Sequence, residues 1–483
     1  MSTQRSFTSP TGLAGLAMIV LLTGCAVGPD YKRPDVTLPA AYPGATGGGT
    51  AAEQGKLSAD WWTLYNDATL NELVASALQN NTDLHRAVAQ IDEAQAVLDE
   101  ASSTLFPELD LGASSSRSRS STLNAQPLPS NVPVISNSNR LALSTSFELD
   151  FWGKLRRASQ AARAQVLSSH YARDVIALTV AGTTTQSYFT LRALDAQIAV
   201  TRDILKSRDE SLAVIKSRAA GGLASELDVN QAQVARADAS LQLRDLQRQR
   251  ALMEHQLGLL TGKLDLKVAA GDAMTLPMPS MPPVGLPSTL LQRRPDVQQA
   301  EQSLIAANAE IGVSRASQFP TFSLTGDFGG QSAKLSNILK SGARIWSVGL
   351  NGLMPIFDAG KYAARTRQAE AVQRQAVAGY EKTVQTAFKD VADALTNVEQ
   401  TSAAATDIQS KVKAARNVLR LSKLRYDAGY SAYLDVLDAQ RTANSAELAL
   451  VQNHQLQLIY SVDLMKALGG GWSANQAAPM ARR

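Results

Sequence analysis

Leu424-Arg-Tyr-Asp-Ala-Gly-Tyr-Ser-Ala-Tyr-Leu-Asp-Val-Leu-Asp-Ala-Gln-Arg441 packs a helix end, a glycine turn and an acidic helix start together. It has a weaker twin in Arg218-Ala-Ala-Gly-Gly-Leu-Ala-Ser-Glu-Leu-Asp-Val-Asn-Gln-Ala-Gln233. Gly222, Leu227, Asp228, Val229, Ala232 and Gln233 correspond to Gly429, Leu434, Asp435, Val436, Ala439 and Gln440, an offset of 207 residues. Gly153-Lys154 and Gly360-Lys361 keep that offset, and Phe106-Pro107 pairs with Phe319-Pro320 at nearly the same spacing. The chain is therefore one large unit used twice, and a repeat on this scale is read before any other feature of the fold.

Helical periodicity surrounds both turns. No proline occurs between Pro133 and Pro277 or between Pro355 and Pro479. The segments from Gly153 to about Ala220 and from Gly360 to about Ala428 read as single helices, each about 100 Å long at 1.5 Å per residue. No small core buries such helices, so they must pack side by side along narrow seams, and Ala158, Ala161, Ala162 and Ala164 suit close approach. A further helix starts near Leu70 and runs to about Thr104, with Leu70, Leu73, Val74, Ala77 and Leu78 on one face.

Each long helix is preceded by a change of period from 3.6 to 2. Leu105, Leu109, Leu111 and Ala113 alternate with polar neighbours, a Ser/Pro/Asn-rich loop spans residues 114–139, and Leu141, Leu143, Thr145, Phe147, Leu149 and Phe151 alternate again. The second copy repeats the pattern over Pro320, Phe322, Leu324 and Phe328, then Trp346, Val348, Leu350, Met354 and Ile356. Strands of about ten residues with one apolar face, joined by a long loop, are the signature of a transmembrane β-hairpin. Four strands cannot close a barrel with an inside, and an open edge in lipid leaves backbone groups unpaired, so the barrel must be shared between subunits.

The N-terminus addresses the chain. Arg5 and the apolar run Leu13–Leu22 are too short for a mature spanning helix and read as a signal peptide over residues 1–24. The run ends in Leu22-Thr-Gly-Cys25, which resembles the lipobox of bacterial lipoproteins and implies acylation of Cys25, the only cysteine. Residues 25–60, rich in Pro, Gly and Thr, read as a lipid-anchored tether. The first repeat covers 61–260 with its hairpin at 105–152, a Pro-rich equatorial linker 261–294, the second repeat 295–468 with its hairpin at 318–357, and a tail 469–483. Chain lengths put both glycine turns at the end farthest from the hairpins and gather the tether, linker and tail at the waist.

No catalytic constellation is present. His85, His170, His255 and His454 are scattered without the i, i+4 spacing of a helical zinc site, and neither a phosphate-loop ending nor a GxSxG elbow occurs. No metal site and no cofactor is expected beyond the lipid on Cys25. Met274, Met278 and Met281 read as apolar filler in the Pro-rich linker. The net charge of +4, with no basic cluster interleaved with aromatics, gives no argument for nucleic acid, and no such partner is expected.

In combination, Cys25 with Gly28-Pro-Asp-Tyr-Lys-Arg-Pro34, Trp61-Trp62 before Leu70-Asn-Glu-Leu-Val74, Phe147-Glu-Leu-Asp-Phe-Trp-Gly153, Arg293-Arg-Pro-Asp296 and Tyr426 to Arg441 resemble the outer-membrane efflux lipoproteins of the TolC/OprM/NodT family. The resemblance implies an α+β membrane protein, a trimeric twelve-stranded outer-membrane β-barrel, four strands per protomer, continuous with a long α-helical periplasmic barrel. It implies a homotrimer held in outer-membrane lipid of a Gram-negative bacterium, with a periplasmic adaptor and an inner-membrane transporter of the resistance-nodulation-division type as partners. The function implied is a passive exit duct for drugs or other small toxic compounds. Type I protein secretion, metal-ion efflux and, from a different class, a non-conducting structural lipoprotein are the alternatives.

Gate positions carry over residue by residue. Tyr426, Leu434, Asp435 and Asp438 match the family's periplasmic gate, and Asp228 matches on the first repeat, with Gly221, Gly222 and Gly429 as the turns at the tunnel tip. Leu434 and Asp438 are i, i+4 with Asp435 one step round, so one helix start presents a leucine and two carboxylates toward a common axis. Ser431 stands where TolC has an arginine, which leaves Arg425 or Arg441 as the replacement latch.

Overall fold

The structure is a computed structural model that describes residues 26–43, 58–123, 133–280, 287 and 290–472. The signal peptide, Cys25, residues 44–57 of the tether and the tail beyond Trp472 lie outside the described residues. The chain is mostly helical with one antiparallel sheet. In order, the elements are a 3-10 helix Trp61–Tyr65, α1 (Ala68–Asn80), α2 (Thr82–Ser103), β1 (Glu108–Arg119), β2 (Ile135–Leu149), α3 (Lys154–Ala220), α4 (Glu226–Thr261), a single turn Leu290–Arg293, α5 (Pro295–Ala316), β3 (Thr321–Ser332), β4 (Arg344–Leu353), α6 (Lys361–Asp427) and α7 (Tyr433–Ala467).

The two long helices are equal, 67 residues each, and the repeat offset is kept at both ends, Lys154 to Lys361 and Ala220 to Asp427. Two compact units share them: residues 1–34, 91–169 and 300–380 form one, and residues 35–90, 170–299 and 381–483 form the other. No described helix is long and apolar enough to cross a membrane.

The first unit carries the sheet, in the order β1-β2-β3-β4. The register sorts its side chains by face, because residues paired across antiparallel strands point the same way. Leu111, Leu143, Phe328 and Trp346 form one cross-strand row. Phe147, Leu324 and Leu350 form another. The opposite face has the row Asp110, Ser144, Asp327 and Ser347, with Arg140 paired to Asp327 at 2.9 Å. Trp346 is 74% exposed, and Leu109, Leu111, Val348 and Leu350 are likewise exposed. A contiguous apolar surface of this kind needs a non-aqueous covering.

The strands begin and end elsewhere than their apolar pattern indicates. β1 continues through Ser114–Arg119 and β2 starts at Ile135, inside the expected loop. Here the ladder is reinforced by polar cross-strand bonds, Ser115 to Asn139 at 2.8 Å and Ser118 with Ser136 at 2.9 Å, which give no alternation of hydrophobicity to read. At the other end Phe151 has left the strand, because Asp150 accepts the N–H groups of Leu155 and Arg156 and so starts α3. Met354 and Ile356 likewise lie past the end of β4.

The second unit buries Trp61, Tyr65, Leu70, Val74, Tyr188, Phe189, Leu257, Leu458 and Met465 in one core. The helix expected to run to Thr104 breaks at Asn81, whose backbone is extended (ψ 127). Its amide donates to the Leu260 carbonyl at 3.2 Å and its oxygen accepts from Asp83 N–H at 2.9 Å, so the side chain replaces the helical bonds that the break gives up. The start of the linker is tied down by buried charge: Arg250 bridges Asp195 and Glu254, and Lys267 reaches Glu254 at 3.1 Å. Trp472 donates to Asp174 at 2.9 Å, and Gly469, at φ +93, presses on the Arg293 carbonyl.

Candidate gate at the paired helix turns

Both long helices end in the same device. At the first, Leu223 N–H returns to Arg218 O at 2.8 Å and Gly222 N–H to Ala219 O at 3.0 Å; at the second, Tyr430 N–H returns to Arg425 O at 2.8 Å and Gly429 N–H to Tyr426 O at 3.0 Å. These are Schellman closures, which place one residue in the left-handed region. Gly222 (φ +70) and Gly429 (φ +79) fill that place, and no atom lies within 4 Å of where a Cβ would stand. The demand for glycine is thus one of backbone conformation and not of space. Gly221 has no left-handed backbone. Its repeat mate is Ala428.

The helices that leave the turns begin differently. α4 opens with a full capping box: Ser225 Oγ accepts Asp228 N–H at 3.1 Å, while Asp228 Oδ2 accepts from Ser225 N–H at 3.0 Å and from its hydroxyl at 2.8 Å. At α7 the N-cap is Ala432, which has no capping side chain. Asp228 is consequently occupied in holding its own helix start. Its mate Asp435 is exposed, and among the described residues its carboxylate makes no hydrogen bond or ion pair.

Beneath the turns, Ile215, Ala232, Tyr433 and Val436 are buried together with Leu212, Val229, Tyr426 and Leu437 packed against them. The Tyr426 and Tyr433 rings lie 5.5 Å apart. Burial pushes the Tyr433 hydroxyl pKa up, and among the described residues that hydroxyl has no partner. Arg208 is also buried and donates to Gln440, with desolvation lowering its pKa.

Leu434 is exposed and lines a groove of about 690 Å³ with Leu227, Val234 and Leu437. Asp438 borders this groove, and with Asp435 it also borders a second one of about 360 Å³ on the α6 side, beside Lys411 and Ser422. With about 100° between successive helical residues, Leu434, Asp438 and Asp435 occupy one arc of α7 in that order. The leucine and Asp435 edge different grooves, and Asp438 stands between them.

The candidate latches behave unequally. Arg441 pairs with Asp438 at 2.7 Å within its own helix. The Arg425 side chain has no partner among the described residues. The ion pair that joins one turn to the other is made by Arg218, whose guanidinium reaches Asp427 at 3.2 Å and lies 5.0 Å from the Tyr426 ring centroid. Arg218 is the repeat mate of Arg425. The sequence reading missed it, although the repeat alignment places the two arginines at equivalent positions.

A one-sided apolar sheet together with two equal long helices, each closed by the same turn, is the architecture of a membrane protein. The family description "Outer membrane efflux protein" matches residues 73–263 and 286–470, one segment for each repeat, and the chain belongs to that family. It is 35% identical over 466 residues to the solvent efflux pump outer membrane protein SrpC of Pseudomonas putida, spanning 95% of this chain and 98% of that one. It is 34% identical over 478 residues to the outer membrane protein OprJ of Pseudomonas aeruginosa, spanning 96% and 97%. Its fold superposes on the outer membrane channel CmeC of Campylobacter jejuni with a TM-score of 0.87 at 26% identity, covering 93% of this chain and 96% of that one.

Proposed function

We propose that three copies join sheet edge to sheet edge into a twelve-stranded outer-membrane barrel, and that their long helices form a periplasmic tunnel conducting small toxic compounds outward. The carrying observation is the sheet itself. β1 and β4 are its two edges, no described strand pairs with either outer side, and one face is apolar. β4 of one copy laid antiparallel beside β1 of the next satisfies both edges and repeats around a closed ring. In this reading the turns at Gly222 and Gly429 are the tunnel's periplasmic end. Leu434 supplies the apolar constriction, and Asp435 and Asp438 supply a ring of carboxylates that attracts cations and resists anions.

The name of the solvent efflux relative SrpC supports organic solvents as cargo. A periplasmic adaptor and an inner-membrane transporter of the resistance-nodulation-division type would deliver it and supply the energy. Cys25 carries the lipid, and this chain performs no chemistry and needs no cofactor. Purified protein in a planar bilayer should conduct, and deletion of its gene should sensitise cells to dyes, detergents or solvents. A strut would do neither. A photo-crosslinker at Tyr430, which is 77% exposed, should capture the adaptor; Ser431 is a poorer site because its hydroxyl is buried.

A further inference from the structure

The charged residues of the sheet are sorted by face and by height. Glu108, Asp110, Glu148 and Asp327 all fall on the polar face, where Arg140 is paired with Asp327. Among the described strand residues the apolar face has no acid and three arginines, Arg117, Arg119 and Arg344. All three are exposed, and opposite them stand Asn137, Ile135 and Gly330. The loops beyond, residues 120–134 and 333–343, contain no acid in their sequence, and the second adds Lys334 and Lys340.

These arginines stand at the end of the sheet away from α3 and α6. Arg117 lies eight residues beyond Leu109 (117 − 109 = 8), a climb of about 20 Å for a strand rising about 3.3 Å per residue and tilted by about 40°. The apolar band of a membrane barrel is about 25 Å tall, so the guanidinium groups reach its far rim, where a lipid face tolerates charge. A cation there meets the headgroups of the leaflet opposite the helices.

The repeat supplies their neighbours. Glu108 pairs with Ser146 in the first hairpin and Thr321 with Leu353 in the second. The offsets, 321 − 108 = 213 and 353 − 146 = 207, are those of Phe106 to Phe319 and of Gly153 to Gly360. One hairpin thus maps onto the other, β1 on β3 and β2 on β4. Where copies join edge to edge, the seam between β2 and β3 within a chain is the template for the seam between β4 and β1 of the next copy. Leu143–Phe328, Leu141–Gly330 and Asn139–Ser332 in the first seam become Leu350–Ser115, Val348–Arg117 and Trp346–Arg119 in the second. This register keeps apolar face beside apolar face. Trp346 stands directly across from Arg119 of the next copy, with Cβ atoms about 5 Å apart, and Arg344 lies on the diagonal at about 7–8 Å. Three guanidinium groups gather on a face that has no carboxylate, although like charges so placed repel.

We propose that each seam holds the phosphate of an anionic lipid of the outer leaflet, gripped by Arg344 of one copy and Arg117 and Arg119 of the next, with Trp346 packed against the lipid below. Guanidinium groups take phosphate through paired N–H donors, and tryptophan favours the same interfacial level. The site rests on the reading that copies join sheet edge to sheet edge, and a single chain carries only part of it.

Ser115→Cys with Leu350→Cys tests the seam. Oxidation should yield covalent trimers, and Ala113→Cys with Leu350→Cys should yield about tenfold fewer, because those partners are out of register. Equal or greater yield from the Ala113 pair overturns the register and the site; crosslinking of neither overturns edge-to-edge joining itself. Native mass spectrometry of the purified trimer tests the ligand, with phosphatidic acid and phosphatidylcholine of the same acyl chains as probes. Wild type should retain phosphatidic acid about fivefold better. Arg117→Gln, Arg119→Gln and Arg344→Gln together should abolish that preference, while Arg140→Gln on the polar face should keep it. Arg344→Gln alone should roughly halve it, and decides the matter if the triple variant fails to assemble. No preference in wild type, or an unchanged preference in the triple variant, overturns the site whatever the crosslinks show. Displacement of the lipid by millimolar inorganic phosphate would make this a site for any anion and overturn lipid as its ligand.

Discussion

The turns at residues 218–233 and 425–440 share a backbone and differ in what their carboxylates and arginines do. Both close through the same pair of hydrogen bonds around a left-handed glycine. In the first, Ser225 engages Asp228 and the helix start is finished; in the second, alanine stands in that place and Asp435 is left unengaged. In the first, arginine reaches across to Asp427; in the second, its mate has no partner among the described residues. A duplicated unit thus keeps its geometry where the backbone demands it and divides its labour where only side chains are concerned. The first turn holds the pair together, and the second offers free charge.

That division can be broken experimentally. Asp435→Ala with Asp438→Ala should raise single-channel conductance in a planar bilayer several-fold, while Asp228→Ala should leave it near wild type; equal effects would erase the distinction between the turns. Gly222→Ala and Gly429→Ala should each cost about 1.5 kcal/mol, since both force a Cβ into the left-handed region with no clash to modulate the cost. Unequal losses in melting experiments would mean that the turns are not equivalent in backbone either. Ser225→Ala should cost about 1 kcal/mol and Ala432→Ser should gain a smaller amount, read from hydrogen exchange in the first turns of α4 and α7. The smallest effect is expected of Arg218→Ala, about 0.5 kcal/mol for a partly exposed pair, with Arg425→Ala silent. If Arg425→Ala proved the more damaging, the cross-turn pair would belong to a different arginine from the one in the structure.

Much of the fold is visible in the linear chain because periodicity and repetition are local. Gly153 and Gly360 at one end and the glycine turns at the other mark the two long helices to within a residue or two, and the alternation of Leu109 and Leu111, or of Phe322 and Leu324, assigns the face of each strand. What escapes is whatever depends on a partner distant in sequence. Ser114–Arg119 has no apolar alternation and becomes strand only because Asn139 and Ser136 lie opposite. Asn81 can cap the following helix through Asp83 N–H, but its amide finds a partner only when Leu260 is beside it. At the candidate gate, Tyr426, Leu434, Asp435 and Asp438 are legible from spacing and resemblance, whereas the occupation of Asp228 by Ser225 follows from a capping pattern written in the sequence, Ser225 with Asp228 three residues on, that went unread.

By itself the sequence determined the duplicated architecture, the lengths of the helices, the positions of the turns and the parity of the strands. Hydrogen bonding within a helix, left-handed glycine and alternation along a strand all act over a few residues. Tertiary structure decided which of two equivalent arginines bridges the turns, and that residues 29–33 of the supposed tether are held by Asn308 and Glu301. These outcomes depend on side chains more than two hundred residues apart meeting within hydrogen-bond distance, and on whether a carboxylate is buried beside a cation or left in water, and no local pattern encodes either.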